Sequence, residues 1–153
     1  MKRIISFCLC VWAMAALACA QHMTFSGLLL TEHIDAFSRT LRDQGFQLQK
    51  RMASDNYYIY KGVCFGHTSY FQVSYTPDSH TVYQVRVTPR HVNTLVYRDS
   101  VASVYGMDYE TSAQGYRWMK EEGMVMLAVP EDKDPVLIIM DLEGARINKR
   151  ERE

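Results

Sequence analysis

The chain has 153 residues, of which 48% are hydrophobic and 22% are charged, with 17 Lys plus Arg against 17 Asp plus Glu. This composition excludes collagen, a long disordered chain and a polytopic membrane protein. Two of the cations, Lys2 and Arg3, precede every carboxylate, so the residues after them carry 15 basic and 17 acidic groups. A nearly neutral chain without a block of like charge gives no indication of binding to nucleic acid or to an anionic membrane.

The N-terminal segment has the pattern of a secretory signal peptide. Two cations precede an apolar run over residues 4–18, which ends in the small-x-small sequence Ala18-Cys19-Ala20. The run is shorter than the roughly 20 residues that a bilayer crossing needs, so a transmembrane anchor is the weaker interpretation. We therefore predict that residues 1–20 are a signal peptide cleaved after Ala20, and that the mature protein is periplasmic or secreted and has no transmembrane span.

The same segment allows a second interpretation, in which Ala16-Leu17-Ala18-Cys19 is an imperfect lipobox. Cys19 would then be lipidated and would hold the protein on the membrane as a lipoprotein. The usual leucine is missing from the first position of the box, so cleavage before Gln21 is the preferred outcome. Of the four cysteines only Cys64 lies beyond this segment, which means that the mature fold depends on its core and not on an internal disulfide.

No repeat or low-complexity linker divides the remaining sequence, which predicts a single domain over residues 21–141. Met23 and Phe25 alternate with polar residues and indicate a short strand. A helical stripe follows over 31–44, with Thr31 as the expected N-cap and Gly45 as the left-handed residue that ends the helix. Alternation with a period of two then predicts four antiparallel strands joined by short turns, over residues 46–52, 57–65, 69–75 and 80–88.

Pro89 ends this meander, and a second helix is predicted over 93–105, with Gly106 at its end. The residues that indicate this helix are Tyr97, Val101, Val104 and Tyr105. Further strands are expected over 115–120, 124–129 and 136–141, and the charged C-terminal tail, residues 142–153, is expected to fray. The predicted fold class is therefore α+β, a single domain in which an antiparallel β-sheet meander carries two helices packed on one face.

Alternation divides the meander into two faces. The face expected under the helices is apolar and consists of Ile59, Val63, Phe65, Phe71, Val73, Val85 and Val87. The opposite face is aromatic and polar, and consists of Tyr58, Tyr60, Tyr70, Gln72, Ser74, Gln84 and Arg86. Tyrosine and arginine often anchor protein interfaces and glutamine supplies adaptable hydrogen bonds. We therefore predict a binding surface made of Tyr58, Tyr60, Tyr70, Gln72, Gln84 and Arg86; the alternative is that tyrosine is simply a good strand former with a wet hydroxyl.

The residue patterns that could carry chemistry are weak. Cys64 and His67 would suit a small cysteine-dependent hydrolase, but a lone strand cysteine is more often a small buried hydrophobe. The five histidines are spread singly, and the acidic loop 131–134 lacks the oxygens and the glycine of a calcium loop. Four methionines of the C-terminal strands are expected to fill the core: Met119, Met124, Met126 and Met140. We predict a protein that is not an enzyme, with no catalytic residues, no metal site and no cofactor.

The run Phe25-Ser26-Gly27-Leu28, followed by an amphipathic helix that closes in Gly45-Phe46, resembles a family of small, uncharacterised exported (signal-peptide-bearing) proteins of Bacteroides-type bacteria. Phe65-Gly66 is similar to a turn of that family, and Tyr105-Gly106 is similar to the end of its second helix. The resemblance spans most of residues 20–106. It implies an α+β fold in the cell envelope and brings no activity or catalytic residue with it.

Together these patterns predict an exported, non-enzymatic binding or interaction module with an unknown protein or small-molecule partner in the cell envelope. One alternative is an envelope lipoprotein scaffold that is lipidated at Cys19. A less favoured alternative is a small hydrolase that uses Cys64.

Overall fold

The computed structural model describes residues 21–131 and 133–153. Within these ranges the helices are α1 (Ile34–Asp43), α2 (Thr94–Tyr105) and α3 (Leu142–Arg152). The strands are β1 (Thr24–Phe25), β2 (Leu28–Leu29), β3 (Gln47–Met52), β4 (Tyr57–Cys64), β5 (His67–Tyr75), β6 (Val82–Pro89), β7 (Glu110–Ser112), β8 (Gly115–Met119), β9 (Gly123–Ala128) and β10 (Val136–Asp141). The predicted signal peptide and the lipidation site at Cys19 lie outside the described residues.

Strands β3 to β10 form one antiparallel sheet in the order β3-β4-β5-β6-β10-β9-β8-β7, while β1 and β2 form a separate small hairpin. The first four strands of the sheet follow one another as a meander, as the alternation predicts. The chain then passes through α2 to the far edge of the sheet and returns, so that the last strand, β10, pairs with β6 in the middle. The predicted α+β class is confirmed.

Helix α1 begins at a later residue than the sequence predicts and ends as predicted. The sequence favours Thr31 as the N-cap, but His33 caps the helix by accepting a hydrogen bond from the Asp35 amide. The start is delayed because His33 pairs with Thr81 in an extended bridge beside β6. At the other end Gly45 has a φ of 92°, and the Phe46 amide donates to the Leu41 carbonyl at 3.0 Å, which is the Schellman closure.

Helix α2 has the predicted bounds to within one residue. The Asn93 side chain accepts hydrogen bonds from the amides of Leu95 and Val96, which fixes the start of the helix. Gly106 ends it with a φ of 99°, and its amide donates to the Ala102 carbonyl. The periodicity predicts that Val104 is buried with the other residues of the helical stripe. Val104 is exposed, so the prediction is wrong for this residue, whereas Tyr97 and Val101 are buried as predicted.

The charged segment 142–153 is a docked helix, and the expectation that it frays is wrong. Asp141 caps α3 by accepting from the Gly144 amide at 2.9 Å. Near the other end, Glu151 accepts hydrogen bonds from the amides of Asp78 and Ser79 in the β5–β6 turn, at 2.8 and 3.2 Å. Helix α3 therefore belongs to the domain, because polar contacts hold both of its ends.

One face of the sheet carries the core and both α1 and α2. The Tyr60 hydroxyl on β4 donates to the Ser38 hydroxyl on α1 at 2.7 Å, and the Trp118 indole on β8 donates to the Gly106 carbonyl at the end of α2 at 2.6 Å. These two contacts place both helices on the same side of the sheet, as predicted. The buried strand residues of this face are Tyr58, Tyr60, Phe71, Val73, Val85, Val87, Trp118, Val125, Leu127, Leu137 and Ile139.

None of the three helices within residues 21–131 and 133–153 combines the length and the hydropathy that a membrane-spanning helix requires.

Candidate functional site

In strand β4 the side chains that face the core are those that the sequence predicts on the outer face. Two of the six predicted binding residues are therefore not on the surface. Tyr58 pairs with Val73 and Tyr60 with Phe71, and directly opposite residues in an antiparallel pair share a face. Tyr58 is accordingly 9% exposed and Tyr60 0% exposed. The prediction that both tyrosines lie on the outer face is therefore wrong.

Tyr60 can occupy a core position because its ring packs against another ring and its hydroxyl has a hydrogen-bond partner. The Tyr60 ring stacks on the Phe71 ring, with centroids 5.3 Å apart and planes 15° apart. Its hydroxyl, which would be costly to bury alone, has the Ser38 hydroxyl as a partner. Desolvation by burial raises the pKa of Tyr60 above its usual value.

The other four predicted residues lie together on the side of the sheet opposite α1 and α2. We define the outer face as the side chains of Ile59, Lys61, Tyr70, Gln72, Gln84, Arg86, Thr88, Met126 and Ile138, which pair in register across β4, β5, β6, β10 and β9. Tyr70, Gln72, Gln84 and Arg86 are on it as predicted, and Tyr70 is 37% exposed. The alternation predicts Ile59 and Val63 under the helices, but both residues of β4 face the side of the sheet that carries Tyr70 and Gln72.

The C-terminal methionines are also on this side of the sheet, and the expectation that they fill the core is wrong. Val125 and Leu127 occupy the buried positions of β9, so the alternation of the strand turns Met124 and Met126 away from the core. Met140 is half-buried and Met119 is exposed. Methionine is a flexible and polarisable side chain, so the outer face has adaptable apolar surface beside its polar groups.

Positive charge is concentrated on the outer face near Tyr70. Strands β3 to β6 contain no carboxylate, and three of their cations, Lys50, Lys61 and Arg86, lie on this face, while Arg90 follows β6 directly. The fourth cation, Arg51, pairs with Tyr58 on the other face. The Lys61 ammonium lies 5.8 Å and the Arg90 guanidinium 5.5 Å from the centre of the Tyr70 ring, within the range of cation–π attraction. Among the described residues, no carboxylate forms an ion pair with Lys50, Lys61, Arg86 or Arg90.

This cluster is not apparent from the sequence, because its cations come from separate segments of the chain. Only the pairing of β4 with β5 and of β5 with β6 places Lys61 and Arg86 on one face with Tyr70, and the pairing of β3 with β4 adds Lys50 beside Ile59. The signal that could have found them is the absence of Asp and Glu from all four strands of the meander. A balanced total charge therefore coexists with a cationic surface.

A shallow depression of about 220 Å³ lies within the outer face, lined by Ile59, Tyr70, Phe71, Gln72, Arg86 and Thr88. The Gln72 amide donates to the Ser74 hydroxyl at 3.1 Å, which orients it in the depression. Arg86 is exposed and presents a planar guanidinium that can bind a carboxylate with two parallel hydrogen bonds. The arrangement can stack a planar group on Tyr70 and hold an anion beside it.

The structure brings Cys64 and His67 opposite each other across the β4–β5 turn, but it disfavours a nucleophilic role for the cysteine. Cys64 is buried, and this burial raises the pKa of its thiol to about 12. At neutral pH the sulfur therefore keeps its proton, and the reactive thiolate is scarce. In residues 21–131 and 133–153 no three His, Cys, Asp or Glu side chains are grouped closely enough to hold a metal ion.

No family model matches the chain, and neither a curated protein nor a solved structure matches it.

Proposed function

We propose that the protein is an exported, non-enzymatic binding module whose outer face holds an acidic polypeptide partner. The observation that carries this proposal is that Lys61 and Arg90 lie against the Tyr70 ring, with Arg86 and Lys50 on the same face, while strands β3 to β6 contain no carboxylate. The exported state rests on the N-terminal sequence pattern. The intact mass of the mature protein distinguishes cleavage before Gln21 from lipidation of Cys19.

Charge complementarity supports an acidic partner. An exposed ion pair is worth only about 0–1 kcal/mol, so one surface cation would not define a binding site. Several cations on one face act together, because they accelerate encounter with an anionic surface and disfavour a cationic one. Tyr70 adds a rigid aromatic anchor of the kind that dominates binding energy in protein interfaces.

The apolar part of the outer face supports a polypeptide as the partner. Ile59, Met126 and Ile138 lie in one row with Gln72 and Arg86 across five strands. Apolar side chains in such a row gain free energy only when other apolar groups cover them, which the phosphates of a nucleic acid cannot do. A segment that carries carboxylates next to apolar or aromatic side chains matches the whole row.

The test is calorimetric titration of the purified protein with a random copolymer of glutamate and tyrosine. Two double variants are compared with the wild type: Lys61→Gln with Arg86→Gln on the outer face, and Arg146→Gln with Lys149→Gln on α3. Both remove two positive charges, so they change the net charge equally. We expect the α3 variant to bind like the wild type and the outer-face variant to bind at least tenfold more weakly, with an affinity that falls as salt is added.

Equal weakening in the two double variants would mean that the copolymer responds to net charge only, and it would overturn the proposal. The same holds if the wild type does not bind the copolymer at low salt. Circular dichroism of both variants verifies that each is folded before the titrations are compared.

A further inference from the structure

A second cavity, of about 260 Å³, lies where the β1–β2 hairpin, the β4–β5 turn and the end of α2 meet, and it shares no residue with the depression on the outer face. Its walls include the aromatic rings of Phe25, Phe46, Phe65 and Tyr105, and Val63 and Val104 line it as exposed residues. No charged residue lines it. The cavity is therefore uncharged and mostly apolar, with four aromatic rings in its walls.

Segments that are far apart in the sequence build this cavity. The hairpin residues Ser26 and Gly27 both have positive φ, and so do Phe65 and Gly66 between β4 and β5. The two tight turns thus have the left-handed backbone of two-residue hairpins, and both lie at the cavity. Phe46 comes from the end of α1, so the motifs Phe25-Ser26-Gly27, Gly45-Phe46, Phe65-Gly66 and Tyr105-Gly106 converge here.

The conformation of Phe65 shows that an aromatic ring is kept in this wall against a backbone preference. Its φ is 50°, in the left-handed region, which is strained by roughly 1–3 kcal/mol for a bulky residue. The ring is packed among Phe25, Tyr97 and Tyr105, with centroid distances of 6.5, 6.1 and 6.1 Å. These ring contacts offset the strain, while an ordinary turn would have Asn or Gly at this position.

Two hydroxyl groups at the cavity already have partners within the protein. The Tyr105 hydroxyl donates to the Thr24 carbonyl at 2.9 Å. The Ser26 hydroxyl donates to the Gln44 side-chain carbonyl at 3.0 Å, and the Gln44 amide donates back to the Ser26 carbonyl at 3.1 Å. A ligand with a charge would find no counter-charge here, so the cavity favours a neutral group that contributes apolar surface.

The volume indicates the size of that group. An apolar cavity of roughly 150 Å³ accommodates a benzene ring, and drug-sized ligands occupy pockets from roughly 300 Å³ upwards. A volume of about 260 Å³ falls between these sizes. We propose that the cavity bounded by Phe25, Phe46, Phe65 and Tyr105 binds one neutral aromatic group of the size of an indole, packed against the rings of its walls.

The test is an NMR titration of the protein, purified from cells that express the full chain, with two probes. Indole represents a free aromatic molecule, and N-acetyl-tryptophanamide represents an aromatic side chain of a polypeptide. Saturable shifts of the Ser26, Gly27 and Gly66 amides with either probe support the site. Binding of indole alone assigns it to a small molecule, and equal binding of both probes assigns it to a side chain of a partner.

Two matched variants on α2 locate the binding. Val104 lines the cavity and is 62% exposed, whereas Val96 is 55% exposed on the same helix and does not line it. We expect Val104→Trp, which fills the opening, to raise the Kd of the probes at least tenfold, and Val96→Trp to leave it unchanged. Val104→Phe provides a smaller block at the same position if Val104→Trp does not fold. Equal Kd values in the blocking and control variants, or no saturation with either probe, would overturn the proposal.

Discussion

Replacing Tyr60 with phenylalanine tests the orientation of β4, on which the assignment of the two sheet faces depends. Tyr60 is fully buried, and its hydroxyl donates to the Ser38 hydroxyl at 2.7 Å. Tyr60→Phe keeps the ring that stacks on Phe71 and opens no cavity, but it removes this hydrogen bond and leaves a buried serine hydroxyl without it. A buried polar group that loses its partner costs about 1–3 kcal/mol, so we expect the free energy of unfolding to fall by about 1.5 kcal/mol.

A double-mutant cycle separates the hydrogen bond from other effects. Ser38→Ala alone leaves the buried Tyr60 hydroxyl without its hydrogen-bond partner, and it is expected to lower the free energy of unfolding by a similar amount. The double variant leaves neither hydroxyl buried without a partner. Its loss of unfolding free energy is therefore smaller than the sum of the two single losses, with a coupling energy of about 1 kcal/mol. Urea unfolding followed by circular dichroism gives each free energy.

Tyr70→Phe on the outer face is the matched control, because Tyr70 is exposed. We expect it to change the free energy of unfolding by no more than about 0.5 kcal/mol. If Tyr60→Phe is as neutral as Tyr70→Phe, the Tyr60 hydroxyl faces water. An orientation of β4 that turns Tyr60 into the core would then be refuted.

Three further changes test the packing of the domain. The Tyr97 hydroxyl is buried and has no hydrogen-bond partner among the described residues. Tyr97→Phe is therefore expected to raise the free energy of unfolding by about 1 kcal/mol in urea titrations, and a decrease would contradict this expectation. A Cβ at Gly144 would lie 2.8 Å from the Tyr83 Cβ. Gly144→Ala is therefore expected to lower the free energy of unfolding by about 1–3 kcal/mol and to speed amide hydrogen exchange in α3. Unchanged exchange would contradict the packing of α3 against β6. The pKa of Cys64 rises from 9.0 to about 12, so above pH 9 the unfolded chain releases a proton that the folded protein keeps. Between pH 9 and pH 10 the free energy of unfolding is therefore expected to fall by about 1 kcal/mol, and Cys64→Ala is expected to lack that part of the decrease in urea titrations.

Local signals in the sequence are sufficient to predict where α1 and α2 end and, to within about two residues, most bounds of the predicted strands. Gly45 and Gly106 end their helices through positive φ values, and β10 has the predicted bounds. Local signals are insufficient where a segment is apolar at nearly every position. In Tyr57-Tyr58-Ile59-Tyr60 the alternation has no clear phase, and only the pairing with Phe71 and Val73 determines which residues point inwards.

Helix α3 and the cationic cluster escape sequence-based prediction for a related reason. The sequence of α3 is highly polar, and its position depends on contacts from the rest of the chain: the Asp141 cap, the close approach of Gly144 to Tyr83, and the bonds from Glu151 to the β5–β6 turn. The cluster likewise exists only after the strands pair. Four of the six predicted binding residues, Tyr70, Gln72, Gln84 and Arg86, nevertheless lie on one face because the alternation in β5 and β6 is clear.

Mapping the binding of the glutamate–tyrosine copolymer by NMR tests the central claim most directly, because it shows which surface of the folded protein the partner chemistry contacts. We predict that the largest amide shifts fall on the central strands of the outer face, at Ile59, Gln72 and Arg86, and that they vanish in the Lys61→Gln, Arg86→Gln double variant. Largest shifts on α2 or α3, or shifts spread evenly over all exposed cations, would contradict the assignment of the outer face as the binding surface.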